Sequence, residues 1–259
     1  GIEYIAVDAQ AIAEEAGSTR AVNIVLLGLL ARKLSFARAF AKKGFHVYAG
    51  KHNMEYNLLE KAAAEYPNIT PVMLEVADDE SIKEVYKVIE AEEGHLDVFV
   101  SNAAYMGGPN SSDIKGELPI DYELLEYSFD VNALSPLKIV DIFLPLLEKG
   151  EMKRLCFVSS EVSSIINMRR DSGFRYTMSK SALNMSIKML YNTLFDEGYT
   201  FRIYHPGWVK REFPDGSFAE SGRLLPDQTT DVAIEDFLSD RPDEMRFVMT
   251  DWHGKEWVF

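Results

Sequence analysis

The ten residues Arg175-Tyr176-Thr177-Met178-Ser179-Lys180-Ser181-Ala182-Leu183-Asn184 set a tyrosine and a lysine four positions apart. On a helix Tyr176 and Lys180 share one face, one turn from each other. A free phenol, with an ordinary pKa of about 10, is a poor proton donor or acceptor at neutral pH. A fixed ammonium beside a phenol favours its anionic form and makes it a usable acid or base. An accidental pair on a solvated helix face has the same spacing, so the surroundings have to decide.

Outward from that helix, strand-like and helix-like segments alternate. Residues 154–159 form an apolar strand before it and 201–204 a strand after it, with the helix between them at 176–195. Upstream, the pattern predicts strands at 22–27, 46–49, 70–75 and 98–100. Between them come helices at 36–43 closed by Gly44, at 55–65 stopped by Pro67, and after Asp79, where Ile82, Val85, Tyr86 and Ile89 share a face. A helical stretch from about 121 to 148 is expected to bend at Pro136 and Pro145. A helix at 229–238 and a strand at 246–249 follow. Near-continuous apolar strands alternating with helices imply a parallel sheet covered on both faces. With right-handed crossovers this is an α/β, doubly wound, Rossmann-like three-layer domain over 22–259, with 1–21 an N-terminal extension.

Such a fold binds ligands beyond the carboxyl ends of its strands. The predicted ends carry Gly28, Gly50, Glu75-Val76, Ser101-Asn102-Ala103-Ala104, Ser159-Ser160 and His205-Pro206-Gly207. Turn chemistry accounts for any one of these ends, but less well for the whole set.

Composition narrows the partners. The 259 residues carry 27 basic and 41 acidic side chains, a net charge of −14, which argues against a nucleic-acid or anionic-membrane surface. Cys156, the only cysteine, lies in an apolar strand, so neither an internal disulfide nor a Cys-based metal site is expected, and no metal is assigned. The longest apolar run, 24–31, is too short to span a bilayer. No signal peptide is evident, so a cytoplasmic location is expected.

The chain from about residue 22 resembles the short-chain dehydrogenase/reductases, especially their carbonyl-reductase-like and Sniffer-like members. Ser101-Asn102-Ala103-Ala104 resembles the family's N-N-A-G segment, Asn132 its active-site asparagine, and Val158-Ser159-Ser160 the strand end bearing its serine. Tyr176 to Lys180 is similar to its Y-x-x-x-K, His205-Pro206-Gly207-Trp208-Val209 to its P-G motif, and Asp251 to Trp257 to its closing strand. The resemblance implies hydride transfer between NAD(P)(H) and a small-molecule carbonyl or alcohol substrate. Tyr176 would be the general acid/base, helped by Lys180, by Ser160 as oxyanion donor and by Asn132 in a proton relay. Ser160 lies 16 residues before Tyr176 and its rival Ser163 lies 13 before it; Ser160 is preferred because it sits at the strand end. The implied cofactor contacts are Gly28, Lys51, Glu75, Val76, Asn102, Ala103, Ala104, Tyr176, Lys180, Pro206, Gly207 and Val209. Lys51, with no acid at the end of the second strand, points to NADP rather than NAD.

One segment departs from the family pattern. Where T-G-x-x-x-G-x-G is expected, the chain reads Leu27-Gly28-Leu29-Leu30-Ala31-Arg32-Lys33-Leu34 and keeps only the first glycine. Glycines there let backbone approach a pyrophosphate. Residues 1–32 resemble instead a gamma-type subunit segment of 2-oxoacid:ferredoxin oxidoreductases, and a helix over 22–31 is the alternative to a strand. The rival function is therefore a non-catalytic or cofactor-impaired dinucleotide-fold protein. Leu183, Ile187, Leu190 and Leu194 form one apolar stripe on the helix after Tyr176, and Met178, Ala182, Met185 and Met189 another. Burial on two sides, and hence a homodimer or homotetramer, is expected.

Overall fold

The computed structural model describes residues 23–28, 30–52, 58–106, 114, 119–213, 215 and 217–259, with side chains from Leu34 onward. The expected extension 1–21 lies outside the described residues. Strand β1 (Asn23–Gly28) is followed by helix α1 (Leu30–Lys42), β2 (His46–Lys51), α2 (Leu58–Glu65), β3 (Ile69–Met73), α3 (Asp79–Glu92) and β4 (Val98–Asn102). Then come α4 (Tyr122–Phe129), a π-helical turn (Asp130–Leu134), α5 (Ser135–Leu147), β5 (Arg154–Val158), α6 (Phe174–Leu194), β6 (Thr200–His205), α7 (Pro226–Leu238), β7 (Met249–Asp251) and β8 (Glu256–Trp257).

Among the described residues the strands form one sheet in the order β3-β2-β1-β4-β5-β6-β7-β8. Pairing is parallel as far as β7, while β8 returns antiparallel. Strand order reverses between β1 and β4, where Gly28 stands opposite Asn102. The crevice that such a reversal opens is where a doubly wound sheet takes its ligands.

Side-chain alternation along the strands divides the core into two layers. Phe99, Leu155 and Phe157 pack with Ile82 and Val85 of α3, Phe143 of α5 and Leu183 and Ile187 of α6. Val98, Val100, Cys156 and Val158 pack on the other face with Phe36 and Phe40 of α1 and Phe237 of α7. Burial pushes the Cys156 thiol up to about 12, as suits an inert core cysteine.

Several boundaries differ from the expected ones. α1 begins at Leu30 rather than 36, so a single residue separates it from β1. The expected helix 121–148 is two helices; the break is the π-helical turn, with the Ser135 N–H bonded to the Asp130 carbonyl, and Pro136 sits just beyond it. Pro145 lies inside α5. The strand expected at 246–249 is instead 249–251, because Asp251 is the residue that pairs with His205. The N-cap of α3 is Asp78, whose carboxylate accepts from the Glu80 N–H at 3.0 Å, not Asp79.

The carboxyl end of α7 rests on two buried arginines. Arg154 donates to the Phe237 and Ser239 carbonyls at 2.8 and 3.0 Å and to Asp240 at 2.8 Å. Arg202, fully buried, donates to the Asp236 and Ser239 carbonyls and forks onto both oxygens of Glu244. Cations at a helix carboxyl terminus satisfy its unpaired carbonyls and oppose its dipole.

Candidate active site

Helix α6 starts at the carboxyl edge of β5 and carries Tyr176 in its first turn. Lys180, one turn later, is 1% exposed, and its ammonium lies 5.9 Å from the centre of the Tyr176 ring. The same Nζ donates to the Val158 carbonyl at 2.9 Å, which fixes it at the end of β5. A buried ammonium held by backbone is a preorganised positive charge beside the half-buried phenol.

Asn184, a further turn along, stitches the helix to the chain leaving β5. Its Oδ1 accepts from Ser159 at 2.7 Å and its Nδ2 donates to the Ser163 hydroxyl at 2.7 Å. The Ser163 hydroxyl in turn donates to the Ser160 carbonyl at 2.6 Å. Ser163 is thus occupied in holding the turn, whereas the Ser160 hydroxyl has only a 3.4 Å contact from the Val162 N–H among the described residues. This division favours Ser160 as the hydroxyl available to a ligand.

Asn132 lies in the π-helical turn and is fully buried. Its side chain clamps the loop after β4, accepting from the Tyr105 N–H at 2.6 Å and donating to the Tyr105 carbonyl at 2.8 Å. It also donates to Ser128 at 3.1 Å and Ser179 at 2.9 Å. The side chain therefore shapes a wall of the cleft. Ser128, Ser179 and Asn184 were not singled out from sequence, although Ser128 precedes Asn132 by four and Asn184 follows Lys180 by four. That spacing is the available signal.

The expected cofactor contacts gather along the same edge. Asn102 ends β4 and is 2% exposed, and its Oδ1 has no hydrogen-bond partner; Ala103 and Ala104 beside it are buried. Glu75 and Val76 follow β3, and the Glu75 carboxylate accepts from the Ala77 N–H at 3.2 Å. The Pro206 carbonyl accepts from Thr229 at 2.9 Å. Gly207 has φ +72, and a Cβ there would fall 2.7 Å from Leu224 and 2.9 Å from Trp252, so glycine is required twice over. Val209 bridges to Leu224. Lys51 closes β2 but is ion-paired with Glu60 of α2. Leu34, which stands at the last glycine position of the family pattern, is 2% exposed and packs in the core with Phe36 and Phe237. The side chains of Arg32 and Lys33 lie outside the described residues.

Residues 34–233 match the family model described as enoyl-(acyl carrier protein) reductase, of the short-chain alcohol dehydrogenase type. The chain belongs to the short-chain dehydrogenase/reductase family. Among curated relatives, the C-signal protein of Myxococcus xanthus is 32% identical over 126 residues, 48% of this chain and 73% of that protein. An uncharacterised oxidoreductase of Schizosaccharomyces pombe is 27% identical over 216 residues, 83% of this chain and 80% of its own length. The NADPH-bound carbonyl reductase from chicken fatty liver superposes with a TM-score of 0.78 at 22% identity, covering 93% of this chain and all of that one. Carbonyl reductase Sniffer of Drosophila melanogaster gives 0.78 at 21% identity with the same coverage. At these identities the structural likeness concerns the fold. The family match takes up at residue 34, and the resemblance of residues 1–32 to a gamma-type oxidoreductase subunit has no counterpart in it.

The dehydrogenase/reductase family implies a nicotinamide cofactor, and the crevice has features that suit one. An orphaned, buried amide oxygen at Asn102 lies next to small buried residues at the β1/β4 reversal, and a fixed cation stands beside the phenol. Among the described residues no helix is long and apolar enough to cross a membrane.

Proposed function

We propose that this chain is an NAD(P)(H)-dependent carbonyl reductase or alcohol dehydrogenase acting in the crevice between β4, β5 and α6. The observation that carries the reading is Lys180, buried, bonded to the Val158 carbonyl and set against the Tyr176 ring. When bound, the nicotinamide supplies or takes up the hydride at the substrate carbon. Tyr176 gives its phenolic proton to the carbonyl oxygen in reduction and takes it back from the alcohol in oxidation. Lys180 stabilises the negative charge left on the phenol and would hold the nicotinamide ribose. The Ser160 hydroxyl donates to the oxygen on which charge develops. Asn102, Ala103, Ala104, Glu75 and Val76 would line the nucleotide, and Pro206, Gly207 and Val209 would close over its nicotinamide end.

Titrating the full chain with NADPH and NADH tests this reading. Binding in the micromolar range supports it, and no binding of either at millimolar concentration defeats it in favour of the cofactor-impaired protein. That second reading draws on the single residue between β1 and α1.

NADP is the preferred nucleotide. Lys51 supports it, as do structural neighbours that carry NADPH or NADP. The Lys51–Glu60 pair opposes it, because a 2′-phosphate must compete with Glu60 for the ammonium. Glu60→Gln is expected to raise affinity for NADPH relative to NADH by about two- to fivefold, the scale of a partly exposed ion pair. Parallel binding titrations measure that ratio.

The two candidate serines separate in the same assay. Ser160→Ala should lower kcat by about 10²- to 10³-fold at little cost in stability. Ser163→Ala should lower the melting temperature instead, since it strands Asn184 and the Ser160 carbonyl. Steady-state kinetics paired with thermal melts distinguish the outcomes.

Assembly into a homodimer or homotetramer belongs to the same proposal. Met178, Met185 and Met189 stand 45%, 63% and 63% exposed on α6, opposite its buried Leu183 and Ile187. A sedimentation mass of two or four chains is expected. A cytoplasmic location remains part of this reading.

A further inference from the structure

Arg175 is 7% exposed, and its Nη1 is buried with no hydrogen-bond partner. Its guanidinium forms no ion pair among the described residues. The other two buried arginines among the described residues behave differently. Arg154 and Arg202 are each paired with a carboxylate and with helix-terminal carbonyls. An arginine cannot escape its environment by losing its proton, so an unpaired buried guanidinium is an uncompensated charge. The position adds a second penalty. Arg175 lies in the first turn of α6, where the helix dipole repels a cation and no acidic residue is present to offset it.

Its direction follows from the helix. Side chains lean toward a helix's amino terminus, and α6 begins at the carboxyl edge of β5, the side on which a doubly wound sheet takes ligands. Arg175 shares a face with Ser179, which receives a hydrogen bond from Asn132, and the Arg175 carbonyl accepts one from Ser128 at 3.3 Å. That face turns toward α4 and the loop that leaves β4 through Tyr105. Arg175 directly precedes Tyr176, so the two side chains leave the helix about 100° apart on neighbouring faces, and a ligand that touches both has to lie across the first turn of α6.

We propose that Arg175 determines the substrate class: a short carbonyl compound bearing an oxyanion, carboxylate or phosphate, that pairs with the guanidinium while its carbonyl oxygen faces Tyr176. The proposal rests on the dehydrogenase reading for its carbonyl. Its oxyanion is argued from Arg175 alone. Guanidinium and oxyanion form paired, charge-assisted hydrogen bonds, which bring specificity as well as affinity. The competing account is that the arginine's alkyl stem merely fills space.

The test compares the full chain with Arg175→Met, which keeps the stem and removes the charge, and Arg175→Lys, which keeps a charge without the fork. Turnover is measured on two matched pairs: a short oxo acid against its methyl ester, and a keto phosphate against its dephosphorylated parent. The unaltered chain should favour the charged member of one pair by about tenfold or more in kcat/KM, and which pair responds tells carboxylate from phosphate. Arg175→Met should erase that preference, chiefly through KM, and Arg175→Lys should keep part of it. A second arm needs no cofactor. Malonate or inorganic phosphate should raise the melting temperature of the unaltered chain but not of Arg175→Met, which should itself melt no lower than the unaltered chain. The proposal is overturned if both pairs are handled alike, if Arg175→Met loses charged and neutral substrates in parallel, or if it melts well below the unaltered chain. Failure of every substrate and of both nucleotides would defeat the dehydrogenase reading. The melting arm would still decide whether Arg175 binds an oxyanion.

Discussion

Tyr176→Phe is expected to lower turnover of any accepted carbonyl by about 10²- to 10⁴-fold, the range that a positioned general acid contributes. The substitution removes one oxygen and leaves the ring against the Lys180 ammonium, so packing of the first turn of α6 is retained. The loss should fall on kcat rather than on the melting temperature. NADPH oxidation followed by absorbance, beside a thermal melt, measures both. Turnover within threefold of the unaltered chain would mean that the proton comes from another group. Tyr127 is a poor substitute: burial first and the charge of Glu75 second push its phenol above the usual range.

Arg202→Ala should be among the most destabilising single changes, at about 3–5 kcal/mol, because it takes the buried guanidinium away from the Glu244 carboxylate and from the Asp236 carbonyl. Urea denaturation measures it. The same pair makes stability depend on pH. Burial works to raise the Glu244 carboxyl, but hydrogen bonds from Arg202 and the Arg241 N–H outweigh it and hold the group below its ordinary range. A carboxyl lowered in the folded state binds its proton less readily than in the unfolded chain. Its contribution is present above the ordinary glutamate pKa of about 4.3 and is lost as pH falls through the lower folded value. In Arg202→Ala that acid-side slope should flatten. An unchanged slope, or a loss below 1 kcal/mol, would remove Arg202 from its structural role.

The sequence made the frame of this site readable because it rests on local patterns. Tyr176 and Lys180 declared themselves by helical spacing, and the strands of 98–100, 154–159 and 201–204 by apolar runs. What stayed hidden depends on contacts between distant segments. The amide of Asn132 holds the Tyr105 backbone and bonds Ser128 and Ser179. No periodicity announces a bond across 47 residues. Lys51 read as a free base until α2 placed Glu60 beside it. Leu34 ends the segment that departs from the family's glycine pattern, and α1, starting at Leu30, turns it into the core. Arg175 stood in the quoted motif from the start, but an arginine's meaning lies in its burial, which spacing does not encode.

The stitching of α6 has a kinetic corollary. Lys180 ties the helix to β5, Asn184 ties it to the turn that follows, and Ser179 ties it to the π-helical turn and, through Asn132, to the loop after β4. The second and third turns of α6, which carry Ser179, Lys180 and Asn184, cannot open while these three neighbours stay closed. Their amides should therefore exchange with solvent deuterium only through global opening of the domain, as core strands do. The segment 208–225, held by isolated bridges between Val209 and Leu224 and between Glu212 and Phe218, should exchange orders of magnitude sooner. A side-chain cluster stitched in this way is as durable as the fold itself, and whatever breathing admits a ligand falls to the segment after β6.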